Sequence, residues 1–249
     1  MVKKSCQRGI LTRLKFVVVV AIASIALSIP AFGQTTAEDW FNKGMNLSNQ
    51  SKYGDALVAF DKAIELNPQY ADAWRIKGAI LTCLGKYDEA IKDLDKAIQM
   101  DPLDALVWTN IGFILYGEGR YIEALQVYDR AIQLNPKLAE ASVGRGFALL
   151  ALGFSGRRFE ANYNANKAFD LAIALVPNYG IAWIGKWSTI NRGEGEYYGS
   201  AADTLDKAVT LNPIYATDLL YSEYSSTLGF QREVFLKEGC AQISARQIK

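Results

Sequence analysis

Acidic and basic side chains cluster in YDEAIKDLDKAIQMDP, residues 87–102, where Asp88, Asp93 and Asp95 stand close to lysines. Two carboxylates that converge on one point can act as general acid and general base. On a helix, however, residues four apart, such as Asp88 and Lys92, are surface neighbours that form ordinary ion pairs. We therefore interpret this cluster as a solvated helix face and not as a catalytic site.

The sequence lacks the residue types that most catalytic and metal sites need. Its 249 residues include no histidine, which excludes Ser-His-Asp catalysis and imidazole proton transfer. Cys6, Cys83 and Cys240 are far apart in sequence and, without histidine, do not favour zinc binding. Gly193 and Gly195 lie in a helix joint and not in a phosphate-binding loop. We expect no catalytic residue, no cofactor and no metal, with an enzyme that uses carboxylates alone as a minor alternative.

The N-terminal segment 1–33 has the parts of a secretory signal peptide. Basic residues and no acids precede an apolar run at 16–29, and Pro30 and the small-residue pattern Ala31-Phe32-Gly33 follow. This run is shorter than the ~20 residues that a membrane-spanning helix needs. We expect cleavage after Gly33 and export to a periplasm, lumen or extracellular space. The alternative is an uncleaved anchor that holds the rest of the chain at the membrane, facing away from the cytoplasm.

The rest of the chain is mildly acidic. The net charge of +1 includes five basic residues of the N-terminal segment, which leaves 22 basic and 26 acidic residues. Nucleic-acid binding requires a basic face. We therefore expect no nucleic-acid partner.

A line of nearly constant sequence returns every 34 residues, beginning at Tyr53, Tyr87 and Tyr121. Within each unit, apolar residues recur at helical spacing in two blocks of about a dozen residues, separated by a short joint. Proline ends the second block because it lacks a hydrogen-bond donor and restricts the preceding residue. Other residues keep the same interval: Trp40, Trp74 and Trp108; Gly44, Gly78 and Gly112; Pro68, Pro102 and Pro136.

This pattern resembles the tetratricopeptide repeat (TPR) family, whose unit is a helix–turn–helix. The resemblance implies an all-α fold: a right-handed solenoid of about five such units plus a C-terminal capping helix pair. A single unit cannot bury both faces of its helices, so stability requires stacked units. The expected organisation is 37–70, 71–104 and 105–138 for units one to three, 139–179 for unit four, 180–215 for a degenerate unit five, and 216–249 for the cap.

Unit four departs from the pattern at two places. Ser142 stands where tryptophan is expected. The interval between prolines widens from 34 to 41 residues between Pro136 and Pro177, so this unit carries seven extra residues. They include the adjacent pair Arg157 and Arg158, which we interpret as a solvated loop, with a contact point for an acidic partner as the alternative.

Unit five departs at the position of close helix packing. Trp187 replaces the glycine of the earlier units. A large side chain there pushes two helices apart. We predict a wider or kinked unit five.

The resemblance also implies where partners bind. Related proteins use the concave face, lined by the first helix of each unit, to bind peptides or proteins. Aromatic residues and arginine, which are favoured at interface hot spots, occur among the matching positions. Burial of Phe113 and Phe147 under neighbouring units is the competing interpretation. The candidate residues are Phe41, Met45, Arg75, Thr109, Phe113, Tyr116, Phe147, Ile184, Asn191 and Arg192.

The sequence thus favours an exported, non-enzymatic scaffold that binds a protein or peptide partner through its concave face, as an assembly or adaptor factor. The alternative function is a membrane-anchored structural component, in which the segment 16–33 is not cleaved. A membrane contact is expected only in that second case.

Overall fold

The computed structural model of the chain describes residues 35–153, 158–192, 201–215, 229 and 232–237. Several sequence-based expectations fall outside the described residues. These are the signal segment 1–33, the extra residues 154–157 with Arg157, the joint 193–200, Cys6, Cys240, and residues 216–228, 230–231 and 238–249 of the expected cap. The side chains of Arg158, Asn191 and Arg192 also lie outside them.

The described residues form helices connected by turns, which confirms the expected all-α fold. Within the described residues, ten α-helices precede a 3₁₀ turn at Pro213–Tyr215, and residues 232–237 are again helical. The ten helices are α1 Ala37–Asn49, α2 Tyr53–Leu66, α3 Ala71–Cys83, α4 Tyr87–Met100, α5 Ala105–Gly117, α6 Tyr121–Leu134, α7 Ala139–Gly153, α8 Arg158–Leu175, α9 Gly180–Arg192 and α10 Ala201–Leu211.

Each odd-numbered helix packs against the even-numbered helix that follows it, which gives five successive helix pairs. From α3 onward, each odd-numbered helix also contacts the odd-numbered helix of the next pair. The odd-numbered helices from α3 to α9 therefore form one continuous row, and α1 is connected to α3 through α2. None of the helices in the part of the chain that the structure describes is both long and apolar enough to cross a bilayer.

Left-handed residues end the first helices of the early units. Gly85 and Gly119 have φ angles of 72° and 81°, and Ser51 takes the same role in unit one with a φ of 58°. The Gly85 N–H donates to the carbonyl of Thr82, and the next N–H, that of Lys86, donates to the carbonyl of Leu81. This is the Schellman arrangement, which satisfies the last carbonyl groups of a helix and turns the chain sharply.

Tyr128 and Phe169 each lie between glycines of two successive odd-numbered helices. A Cβ atom on Gly112 of α5 would lie 2.7 Å from Tyr128 Cε1, and a Cβ atom on Gly144 of α7 would collide with the same ring. Phe169 has the same relation to Gly146 of α7 and to Gly185 of α9. Because both rings are fully buried, one aromatic side chain sets the spacing within a unit and between two units.

The tryptophan indoles form a repeated hydrogen bond at the start of three units. The Nε1–H groups of Trp74, Trp108 and Trp183 donate to a proline carbonyl six residues earlier, at distances of 2.9, 3.1 and 2.8 Å. The acceptors belong to the prolines that end the preceding units. This bond therefore fixes each unit to the turn before it.

Ion pairs also connect successive units. Lys77 Nζ lies 2.9 Å from Asp61 Oδ1, Arg145 Nε lies 2.6 Å from Asp129 Oδ1, and Lys186 Nζ lies 2.6 Å from Asp170 Oδ1. Each cation comes from the first helix of one unit and each carboxylate from the second helix of the unit before it. In unit three, Ile111 takes the position of the cation, so the series is interrupted there.

Trp187 is accommodated with only 7% of its surface exposed. The helix around it, α9, runs without interruption from Gly180 to Arg192. By the repeat spacing, the position that faces it on α10 holds Leu205 in place of the aromatic residue of unit four. Unit four pairs a phenylalanine ring with a glycine at this contact, whereas unit five pairs a leucine with a tryptophan. One bulky side chain therefore remains at the contact. The wider or kinked unit five stays a prediction.

The contact of Gly144 with Tyr128 can be tested by adding one methyl group. Gly144→Ala should lower the free energy of unfolding by about 1–3 kcal/mol, because the Cβ atom overlaps a buried ring that has no room to move. Chemical denaturation followed by circular dichroism measures the change.

Gly54 is the matched control, because a Cβ atom there meets nothing within 4 Å. Gly54→Ala should be neutral or stabilising by up to about 1 kcal/mol, since alanine is the better helix former. Equal effects of the two substitutions would contradict the role given to Gly144.

Candidate partner-binding groove

The candidate groove is the surface of the odd-numbered helices that the repeat pattern predicts to be concave. The structure distributes the sequence-predicted residues over all five of these helices. Phe41 and Met45 lie on α1, Arg75 on α3, Thr109, Phe113 and Tyr116 on α5, Phe147 on α7, and Ile184, Asn191 and Arg192 on α9. Three of them are brought together in one aromatic patch, which we define as Phe113, Tyr116 and Phe147.

The aromatic patch is covered by a side chain from the C-terminal helical residues 232–237. The ring centroid of Phe235 lies 5.0 Å from that of Phe113, 4.7 Å from that of Tyr116 and 4.8 Å from that of Phe147. The exposed fractions of the three patch residues are 2%, 0% and 0%, in that order. Their burial therefore includes a contact from a segment distant in sequence as well as contacts with neighbouring helices.

Polar contacts hold the same C-terminal residues in place. The Arg232 Nη2 group donates a hydrogen bond to the carbonyl of Gly117, the last residue of α5. Lys237 pairs with Glu233 at 2.6 Å along the helix. Val234, next to Phe235, is fully buried. The segment is thus attached by the buried side chains of Val234 and Phe235 and by the hydrogen bond of Arg232 to the C-terminal end of α5.

Tyr116 contributes an aromatic surface without a charge. Burial raises the pKa of its phenol well above the ordinary value of 10, with Tyr121 adding to the shift and Arg232 opposing it. Its hydroxyl makes no hydrogen bond within the described residues. The ring therefore stays neutral at physiological pH and presents an apolar face to Phe235.

Arg75 is committed to ion pairs inside the solenoid. It is 7% exposed, lies 2.6 Å from Asp72 Oδ1 and 3.1 Å from Asp104 Oδ2, and so joins α3 to the start of α5. Asp104 also accepts a hydrogen bond from the Leu106 N–H. Burial raises the pKa of the Asp104 carboxyl, and the charge of Arg75 acts in the opposite direction. Arg75 therefore positions two helices that line the groove.

The side chains of two further candidates are buried and make contacts within the fold. Thr109 donates its hydroxyl to the carbonyl of Ala105 at 2.8 Å and is buried. Ile184 is fully buried. The side chains of Asn191 and Arg192 are not among those described. Among the described candidates, only two on α1 are partly exposed.

Phe41 and Met45 form the open part of the groove. Both are half-buried. Phe41 makes an edge-on contact with Phe60 at 5.6 Å and a tilted contact with Tyr70 at 4.8 Å. These contacts fix the ring orientation while part of its surface remains exposed. An aromatic and a methionine side chain in this state suit an apolar partner surface.

Asp93 differs from the solvated position expected for the acidic cluster. Its side chain is buried, and Lys77 Nζ lies 3.1 Å from its Oδ2 and 2.9 Å from Asp61 Oδ1. Burial raises the pKa of Asp93, and the Lys77 charge opposes that rise. The cluster therefore includes one structural ion pair. Across the described ranges, no three histidine, cysteine or acidic residues are grouped as a metal ion would require.

Phe235 is the residue that sequence reasoning missed. The repeat spacing does not extend to it, so no periodic position marks it as a core residue. The available signal was the apolar run Val234, Phe235 and Leu236 between the charged residues of REVFLK. In a polar cap, such a run indicates a buried contact.

Family models match the chain at two places. One, described as tetratricopeptide repeat, matches residues 41–105, and another, described as TPR repeat, matches residues 114–153. No curated protein matches the sequence.

Solved structures share the fold at low identity. PilW, a widely conserved type IV pilus biogenesis factor, superposes with a TM-score of 0.60 at 16% identity, covering 86% of this chain and 98% of its own. TTC0263, a thermophilic TPR protein of Thermus thermophilus, gives 0.56 at 17% identity and covers 84% and 98%. PilF of Pseudomonas aeruginosa gives 0.53 at 20% identity and covers 79% and 96%. These likenesses concern the fold.

The contact of Phe235 with the aromatic patch can be tested by removing its ring. Phe235→Ala should weaken the attachment of residues 232–237 by about 3 kcal/mol, because three aromatic contacts are lost. Hydrogen–deuterium exchange should then become faster both in these residues and in the C-terminal turn of α5.

Lys237→Ala is the control for the same segment, since this side chain is exposed and makes only a surface pair with Glu233. It should leave exchange in α5 unchanged. Unchanged exchange in Phe235→Ala as well would show that the ring does not hold the segment.

Proposed function

Because this chain is a tetratricopeptide repeat protein, we propose that it is an exported scaffold that binds a protein or peptide partner through its concave groove. The groove carries aromatic and apolar side chains from successive odd-numbered helices. An amphipathic helix bound in such a groove uses its apolar side chains as anchors. The proposed partner is therefore a segment that presents one or more aromatic residues.

The observation that carries this proposal is the position of Phe235. A helical segment already fits against Phe113, Tyr116 and Phe147 and presents one ring to them. The shape and chemistry of this surface are therefore suited to a helix with an aromatic anchor. A partner would use the open part at Phe41 and Met45 and would replace Phe235 at the aromatic patch.

An assembly or adaptor role follows naturally from such binding. A stacked solenoid holds its binding residues on a rigid extended surface, which suits the alignment of other proteins. PilW, which shares the fold, is a type IV pilus biogenesis factor. The proposed role needs positioning alone and uses no catalytic group.

Export rests on the N-terminal segment 1–33, with its basic start, its apolar run and its small residues before Gln34. The alternative is a membrane-anchored structural component. It is favoured by the absence of any charged residue from Phe16 to Ala37, since a longer uncharged stretch can remain in the bilayer.

Groove binding can be tested with the chain's own anchor supplied as a separate peptide. A fluorescein-labelled peptide of residues 229–239 should bind the full-length Phe235→Ala variant about tenfold more tightly than the unchanged chain, because the variant leaves the patch vacant. Fluorescence anisotropy measures both affinities.

The control is the same peptide with alanine in place of Phe235, which should bind neither protein. Equal affinity for the variant and the unchanged chain, or equal binding of the two peptides, would exclude the patch as an anchor site.

Export and anchoring differ in the mature N-terminus. We expect the protein isolated from its cells to begin at Gln34, as shown by N-terminal sequencing and intact mass, because the small residues before it suit signal peptidase. A chain that retains residues 1–33 and stays with the membrane fraction would establish the anchored alternative instead.

A further inference from the structure

Unit four lacks a side chain that the units around it contain. Trp74, Trp108 and Trp183 fill equivalent positions and donate to proline carbonyls. The equivalent position in unit four is Ser142, and the equivalent carbonyl, six residues earlier, belongs to Pro136. Unit four therefore keeps the proline carbonyl that accepts the indole hydrogen bond in other units but has no tryptophan to donate it.

An open pocket of about 420 Å³ lies at this place. Binding pockets for small groups begin at about 300 Å³, so it is large enough for one aromatic side chain. It lies among α6, α7 and α8 and is separate from the aromatic patch. Its lining consists of Asp129, Ile132, Gln133, Ser142, Arg145, Lys167, Ala168 and Leu171.

The repeat spacing shows that this lining corresponds to a tryptophan environment. Trp74 packs in one cluster with Ile64 of the preceding unit. Ile132, which lines the pocket, stands 68 residues (two repeats) after Ile64, as Ser142 stands 68 residues after Trp74. The apolar wall that contacts indole in unit two is thus retained in unit four.

The cation that accompanies the ring is retained as well. Lys77 Nζ lies 5.6 Å from the centroid of Trp74, and Lys186 Nζ lies 6.0 Å from that of Trp183. Arg145 occupies the same repeat position and is held by Asp129 at 2.6 Å. A guanidinium over an aromatic face contributes about 0.5–2 kcal/mol.

Two further features point to an external ligand. The Ser142 side chain is 1% exposed, and its hydroxyl has no hydrogen-bond partner in the described part of the chain. Leu171, on the rim, is an apolar side chain with 42% exposure, where units two and three carry Lys96 and Arg130. A buried hydroxyl without a hydrogen-bond partner costs free energy, and so does an apolar side chain that is exposed to water.

We propose that the unit-four pocket binds a tryptophan side chain of a partner protein. The indole ring packs between Ile132 and Leu171, with Arg145 against its face. The carbonyl of Pro136 and the hydroxyl of Ser142 are the acceptors available to its N–H.

Charge defines the surroundings of this tryptophan in the partner. The lining carries two cations, Arg145 and Lys167, and one anion, Asp129. Asp129 is paired with Arg145, whereas Lys167 Nζ lies over the ring of Tyr163 at 4.3 Å and has no carboxylate partner in the described ranges. Acidic residues next to the partner tryptophan would therefore be favoured.

The tryptophan comes from another protein and not from a second folded copy of this chain. The sequence has five tryptophans, and all of them lie on first helices of their own units, buried or half-buried. None can leave its position without loss of packing in its own unit.

The test uses the full chain and the peptide acetyl-Glu-Trp-Glu-amide with 5-fluorotryptophan, followed by ¹⁹F NMR. The unchanged chain and Ser142→Ala should bind it with affinities within about threefold of each other. Ser142→Trp should reduce binding at least about tenfold, because its own indole fills the pocket. Its helical signal should be unchanged and its unfolding midpoint equal or higher, since neighbouring units fold with this residue.

Arg145→Gln provides a second variant that does not depend on filling the pocket. It should weaken peptide binding about fivefold, through loss of the cation at the ring face. If unlabelled acetyl-Glu-Ala-Glu-amide displaces the fluorinated peptide from the unchanged chain as well as unlabelled acetyl-Glu-Trp-Glu-amide does, the proposal is overturned. Undiminished binding of the fluorinated peptide to folded Ser142→Trp would also overturn it. If Ser142→Trp does not fold, undiminished binding to Arg145→Gln would overturn it.

Discussion

The close approach of successive helices around one shared ring is the contact on which the rest of the structure depends. Tyr128 lies between Gly112 and Gly144, which belong to first helices of two different units. A ring so enclosed fixes how far one unit is rotated and displaced from the next, because packed interiors have little space for adjustment. The row of odd-numbered helices, and so the groove along it, inherits its geometry from this contact.

Polar contacts at the unit boundaries repeat with the same period, and their interruptions are informative. The indole-to-proline bond is absent at Ser142, and the lysine-to-aspartate pair is absent at Ile111. The first change coincides with a pocket. The two changes differ in volume: loss of an indole leaves space that the neighbouring helices, fixed by their glycine contacts, cannot close, whereas isoleucine replaces the bulk of the lysine stem.

Periodic features of this fold could be predicted from sequence because each unit repeats the same local chemistry. The helix pairs and their proline and glycine ends follow from spacing alone. The contact of Phe235 with the aromatic patch could not be predicted, since it joins residues more than 80 positions apart and occurs once. The burial of Asp93 and the ion pairs of Arg75 were missed for a related reason: helical periodicity gives the face of a charge but not the partner on the next helix.

The C-terminal residues that cover Phe113 impose a threshold on any ligand of that patch. A segment attached to the same chain competes at an effective concentration that can reach about millimolar, whatever the dilution of the protein. A free ligand must exceed that internal competition before it occupies the patch. Under the proposed function, weak and accidental aromatic contacts would therefore be rejected, and the solenoid would discriminate among ligands by affinity without any additional residue devoted to specificity.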